Sequence, residues 1–466
     1  MATRTIRFQL DPEYLAESIE LLSNLYDGAE ISIAVDNGDL HPIFTANTDV
    51  QKEQILVYED SSTVLLKIKV IDKKRSDWEL GNQIEFYTPI DLTDLDLALF
   101  RMTRGQGGEL QCLLNDVVIF ALINEKTDLS SIPNDILALF AYQVNDISKL
   151  PQMPITNIAW FQDCSELISL SGLSNLPSLH KLSLWKCKSI QNADILKNLT
   201  QLTQLSLFSC HFLQNIDDLG NLTQLTELNL SYCYSIQNVD SLEKLTQLTD
   251  LNLSNCKSLQ NVDGLRNVTR LTTLDLSYCD SLQNVDGLRN VTQLTMLDLF
   301  YCNYIQNVDS LENLTQLTEL DLSYCYNIQN VDSLEKLTQL TDLNLSYCYN
   351  IQNVDSLEKL TQLTDLNLSH CKSLQNVDGL ENLIQLTKLD LYYCSSLQNV
   401  DGLRNLTQLT KLNLRICESL SDVAGLGNLT QLTKLDLSYC PYLLDFSPLH
   451  GCVSLKSMSA DKPNIV

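Results

Sequence analysis

The chain has 466 residues, 44% hydrophobic and 19% charged, with 31 basic against 58 acidic residues and a net charge of −27. Residues 1–130 hold 11 basic and 23 acidic residues and the remainder 20 and 35, so both parts are acidic. A surface of that sign repels phosphate backbones and anionic bilayers, which excludes nucleic acid and membrane as main partners and favours a basic protein or peptide.

Met1 to Leu10 lack the apolar core of a cleaved leader, and no run approaches the ~18 apolar residues of a bilayer span. Residues 1–130 carry no repeat and read as a small α+β domain. Ile6 to Leu10 is a strand. Asp11-Pro12 opens a helix whose Leu15, Ile19, Leu22 and Tyr26 share one apolar face. Ile31 to Val35 and Leu40 to Phe44 form a hairpin about Asn37-Gly38. Strands follow at Ile55–Tyr58, Val64–Ile71 and Ile84–Tyr87, and Val117–Ile123 is a buried strand or helix. Arg104-Gly-Gln-Gly-Gly-Glu109 is glycine-rich but lacks the Gly-Lys-Ser/Thr ending of a phosphate loop. Cys112 and His41 are the one nucleophile–base pair available, and nothing in their spacing joins them. No catalytic, cofactor or metal site is expected.

The rest of the chain repeats. Thirteen cysteines, from Cys164 through Cys187 and Cys210 to Cys440, recur every 23 residues. Fifteen cysteines in all, an odd number at repeat spacing, point to a reduced, cytoplasmic protein rather than a disulfide scaffold. One unit, Leu225 to Gln247, reads LxxLxLxxCxxIxxVxxLxxLxx. Leu228-x-Leu230 alternates with period two and is a short strand. Ile236, Val239, Leu242 and Leu245 recur every third position, which suits a 3₁₀ return segment. Asp240-Ser-Leu-Glu243 fits a capping box that starts it. Residues 131–155 keep the inward phase (Ile136, Ala138, Ala141, Val144, Ile147, Leu150, Met153) without a cysteine and read as a cap. Residues 156–458 are the repeats, and 459–466 a polar tail. In the first repeat Ala159 and Phe161 compete with Ile158 and Trp160 for the inward register.

This pattern resembles the leucine-rich repeat family, in its short-repeat, internalin-like and phosphatase-regulator-like branch, with cysteine in place of the usual inward asparagine. The resemblance implies an α/β solenoid: a curved horseshoe with a parallel sheet on its concave side, the side that usually binds protein. The cysteine ladder is expected to be structural, each thiol a small buried group bonded to a neighbouring carbonyl.

Positions 2, 3, 5, 7 and 8 of LxxLxLxxC are expected on the concave face. Tyrosine recurs at position 8, in four successive repeats at Tyr278, Tyr301, Tyr324 and Tyr347. Position 5 supplies Asp275, Asp298 and Asp321, and position 3 supplies Asp342 and Asp365 before turning to Lys388, Lys411 and Lys434. Tyrosines beside carboxylates suit a partner bearing Lys or Arg, so the expected function is a protein-binding scaffold. Two other readings stay open: an N-terminal effector or catalytic domain with the repeats as its sensor, and a secreted effector or adhesin.

Overall fold

The computed structural model describes residues 3–10, 29–35, 41–45, 53–59, 63–72, 83–91, 98–104, 106, 109–114 and 117–460. The chain divides into two compact units, Met1–Leu230 and Ser231–Val466.

The first unit begins with strands β1 (Thr3–Leu10), β2 (Ala29–Val35), β3 (His41–Thr45), β4 (Glu53–Glu59), β5 (Thr63–Asp72) and β6 (Gln83–Asp91). They are followed by β7 (Ala98–Arg104), β8 (Leu110–Leu114) and β9 (Val117–Asn124). The strands expected near residues 6, 55, 64 and 84 are all present, and residues 117–123 resolve as strand. β2 and β3 pair antiparallel, as the hairpin requires, and the sheet extends through β5 to β6. The expected helix after Asp11-Pro12 and the Asn37-Gly38 turn lie outside the described residues.

β9 joins this region to the repeats. It pairs antiparallel with β8 and, on its other edge, parallel with β10 (Ala138–Tyr142). β11 (Ile158–Gln162), β12 (Lys181–Trp185), β13 (Gln204–Ser206) and β14 (Glu227–Asn229) continue the parallel order. The first parallel strand is therefore not an open edge, the usual liability of a sheet. The rival registers of β11 are both satisfied, because all five of its residues are buried. Ala159 and Phe161 fill one face, and on the other Trp160 lies 6.5 Å from Trp185, which stacks on Phe208 at 3.7 Å.

In the second unit each 23-residue repeat contributes one parallel strand: β15 (Asp250–Asn252), β16 (Thr273–Asp275), β17 (Met296–Asp298), β18 (Glu319–Asp321) and β19 (Asp342–Asn344). β20 (Asp365–Asn367), β21 (Lys388–Asp390), β22 (Lys411–Asn413), β23 (Lys434–Leu437) and β24 (Ser457–Ala460) complete the row. Leucines at positions 1, 4 and 6, the cysteine, and every third residue after it are at most a few per cent exposed through Leu437. Each such leucine stabilises by about 1.5–3 kcal/mol on burial, so the repeat fold rests on this column. The return segments are single 3₁₀ turns, as the period of three predicts.

The thiols behave as expected. Cys279, Cys302, Cys325 and Cys348 are buried, and each Sγ donates to the position-6 carbonyl of the preceding repeat at 3.2–3.3 Å. The capping box does not form. Val239 stands at the N-cap without a side-chain bond, and Asp240 is already the first residue of its turn. The Asp240 N–H is taken instead by Asn238 Oδ1 at 3.3 Å. With that donor satisfied from two residues upstream, the glutamates of the motif turn to the next repeat: Glu312 meets Lys336 at 2.7 Å and Glu335 meets Lys359 at 2.8 Å.

Candidate functional site

The outer face of the parallel sheet in the second unit carries three rows of side chains, because strands in register stack the same repeat position rung upon rung. Position 5 is the innermost. Asp275, Asp298 and Asp321 are direct Cα partners on β16, β17 and β18, with Asn344 and Asn367 continuing the row. These side chains have a local task. Asp275 Oδ1 accepts the Ser277 N–H at 2.9 Å, Asp298 Oδ1 that of Phe300 at 2.8 Å, and Asp321 Oδ1 that of Ser323 at 2.7 Å. Asn344 and Asn367 accept equivalently from Ser346 and Ser369. Asp and Asn alternate here because both supply the acceptor that an Asx turn needs. The carboxylates are half-buried, and burial, then the neighbouring Asp275 charge, pushes Asp298 up to about 7.

That turn explains position 8. Cys279 N–H bonds to Leu276 C=O, closing a β-turn whose third residue, Tyr278, has φ 58°. Tyr301, Tyr324, Tyr347, His370 and Tyr393 repeat the conformation at φ 59–63°. Glycine or asparagine is the usual occupant of such a position, and another residue is strained by about 1–2 kcal/mol. The tyrosines thus stand past the ends of the three-residue strands rather than on them. Their N–H groups still extend the ladder, Tyr301 bonding to Ser323 C=O at 2.9 Å and Tyr324 to Ser346 C=O at 2.8 Å.

Their rings form a continuous column. Tyr278 to Tyr301 and Tyr301 to Tyr324 are 5.5 and 5.7 Å between centroids, and Tyr324 stacks on Tyr347 at 4.0 Å. Repeats 326–348 and 349–371 differ only in having Tyr347 or His370, and even there the stack persists, at 3.9 Å and 13°. Phe300 and Tyr392 flank the column on one side. Tyr326 and Tyr349, one residue past their cysteines, form a second stack at 5.1 Å. Between the two aromatic rows Lys372 places Nζ 4.8 Å from the Tyr349 ring and 5.0 Å from that of Tyr393. Sequence reasoning looked for aromatics on the strand and so missed this outer row, although tyrosine directly after the cysteine in two successive repeats was a visible sign.

Position 3 is the third row. Glu319 and Asp342 are exposed. Asp342 Oδ2 accepts from Thr341 Oγ1 at 2.8 Å, and Asp365 is bound to Lys388 at 2.5 Å. Of the expected carboxylates, Asp342 is thus the exposed one, the others being half-buried. Cys112 lies on β8 and His41 on β3, in different sheets, and their side chains fall outside the described residues. Among the described residues no cluster of Cys, His, Asp and Glu is arranged to hold a metal, and no helix is long and apolar enough to cross a membrane.

A family model described as BspA type leucine rich repeat region matches the chain in six copies, over residues 143–260, 230–352 and 322–444. No curated protein matches. Among solved structures, an internalin (inlF) from Listeria monocytogenes is similar at 26% identity, covering 71% of this chain and 87% of its own, with a TM-score of 0.54. A leucine-rich repeat protein from Leptospira interrogans is 19% identical over 72% of this chain and 82% of its own, TM-score 0.55. A chain of the Toll–Spatzle complex of Drosophila is 16% identical over 77% and 54%, TM-score 0.53.

Proposed function

The chain belongs to the BspA-type leucine-rich repeat family, and on that footing we propose that it is a protein-binding scaffold rather than an enzyme. The partner is a segment bearing Lys or Arg, received along the aromatic column from Tyr278 to Tyr347. Asp275, Asp321, Asp342 and Asp365 supply the negative field, joined by Asp298 where its raised carboxyl is ionised, and Asp342 and the nearby Glu319 make direct contact. The observation that carries this reading is Lys372, whose ammonium the chain's own rings already hold on two sides. An incoming ammonium or guanidinium would find the same attraction to ring faces, worth about 0.5–1 kcal/mol each at an exposed site. The test is calorimetric titration with Lys/Arg-rich peptides and their acetyl-lysine counterparts. Binding should require the charge, weaken with salt, and disappear when Asp298, Asp321 and Asp342 are all changed to Lys. Equal binding of acetylated peptides would refute the reading.

We place the protein in a reducing compartment, the cytoplasm, on the strength of its thiol ladder. Cys279, Cys302, Cys325 and Cys348 each donate a hydrogen bond to the carbonyl of a buried leucine, a role that oxidation would abolish. Alkylation of acid-quenched cells should find these cysteines reduced; extensive oxidation in vivo would move the protein elsewhere.

A further inference from the structure

The position-3 row carries a charge order of which the peptide reading uses only the acidic half, Glu319, Asp342 and Asp365. Glu319, Asp342, Asp365, Lys388, Lys411 and Lys434 are Cα partners in unbroken succession on β18 to β23. Being in register, they project from the same face, with the leucine after each one buried. All are exposed except the half-buried Asp365. The row therefore reads three negative charges, then three positive, and uncharged residues bound it at both ends: Met296 pairs with Glu319 and Ser457 with Lys434. Three lysines on adjacent strands, about 4.8 Å apart, repel one another. Their sign change is already felt inside the chain, where Lys388 bonds Asp365 across the boundary.

An order that inverts about its own midpoint is the requirement for an isologous interface, in which residue i of one copy meets j of the other and j meets i. A two-fold axis parallel to the strands, passing between Asp365 and Lys388, turns a second copy face to face with the first. It reverses the order of rungs while keeping position 3 opposite position 3. Glu319 then faces Lys434, Asp342 faces Lys411 and Asp365 faces Lys388, each twice. An axis along the row would set like against like. We infer that this face binds a second copy of the same chain, through the six-rung charge block. His370 and Tyr393 lie on the central two rungs and face each other across the same axis. The inference goes beyond the peptide reading. Tyr278 lies two rungs outside the block and stays open when two copies meet, whereas Glu319, Asp342, Tyr324 and Tyr347 lie on paired rungs, so a basic peptide and the second copy compete for them.

Sedimentation of the full chain over a concentration series tests it. The wild type should self-associate at moderate ionic strength, where the net charge of −27 on each copy is screened, and less so as salt rises further. The variant Lys388→Glu/Lys411→Glu/Lys434→Glu has an all-acidic row, and Glu319→Lys/Asp342→Lys/Asp365→Lys an all-basic one. Each alone should be monomeric, with about tenfold weakening for every reversed charge. Mixed in equal amounts, the two should form a heterodimer. Should a triple variant lose its circular dichroism, the single changes Lys411→Glu and Asp342→Lys, which face each other, carry the same comparison. A wild type that stays monomeric at every ionic strength overturns the inference, as do charge variants that self-associate like wild type or fail to associate when mixed.

Discussion

The rings of Tyr324 and Tyr347 stack at 4.0 Å with their planes 16° apart, although both residues hold a positive φ of 60–63°. Each rung thus combines a backbone cost with a ring contact worth about 0.5–1.5 kcal/mol. Changing Tyr324 to Ala removes the ring and keeps the strain, whereas changing it to Gly removes both. Tyr324→Gly should therefore be more stable than Tyr324→Ala by about 1 kcal/mol, and close to wild type. Both should bind basic peptide more weakly. Urea midpoints decide the matter, and an Ala variant at least as stable as the Gly variant would sink the account of strain.

The column of leucines, the 3₁₀ returns and the thiol ladder were legible in the sequence because a period of 23 repeats each environment many times. One reading of Leu228, Leu230 and Cys233 serves every rung. What was not legible came from the turn. Nothing in the spacing reveals that Tyr278 follows a three-residue strand in a left-handed turn, since tyrosine is a poor marker of that conformation. Asp298 was read as surface charge, and its bond to the Phe300 N–H shows it to be a turn acceptor first. The capping box failed for a similar reason, Asn238 having already taken the donor. Local side-chain-to-backbone bonds of this kind compete at short range and leave little imprint on a periodic pattern.

The thiol ladder predicts its own inertness. Cys371 donates to the Leu345 carbonyl at 3.2 Å, and burial pushes its thiol up to about 12. At pH 8 only about one molecule in 10⁴ then carries the thiolate that reacts. Ellman's reagent should leave the ladder cysteines untouched in the native protein and titrate them fully in guanidinium. Rapid native reaction would mean that the repeats open locally.

Close stacking of the 3₁₀ turns makes a second demand. A Cβ placed on Gly287 would lie 2.0 Å from the Val262 carbonyl oxygen and 2.5 Å from its carbon, both backbone atoms that cannot rotate away. Gly287→Ala must therefore force two repeats apart, at a cost of about 2–4 kcal/mol. Chemical denaturation should show a lower midpoint, and an unchanged midpoint would mean that adjacent turns slide without cost.

Asp298 makes stability depend on pH in the sense opposite to most carboxylates. Its folded carboxyl takes up a proton near pH 7, whereas an unfolded aspartate does so near about 3.9. Between those values the folded state holds the extra proton, so stability falls as pH rises through that window and levels off above it. Asparagine already fills the same position two rungs away and makes the same turn, as Asn344 does with Ser346. Asp298→Asn should therefore keep the Phe300 bond and remove the charge. The variant is expected to gain about 1–3 kcal/mol at pH 8, to match wild type near pH 4, and to lose this part of the slope between. Urea titrations of both proteins at pH 4, 6 and 8 measure it. A variant less stable than wild type at pH 8 would show that the ionised carboxylate is welcome on this face, through contacts that outweigh its burial beside Asp275 and Asp321.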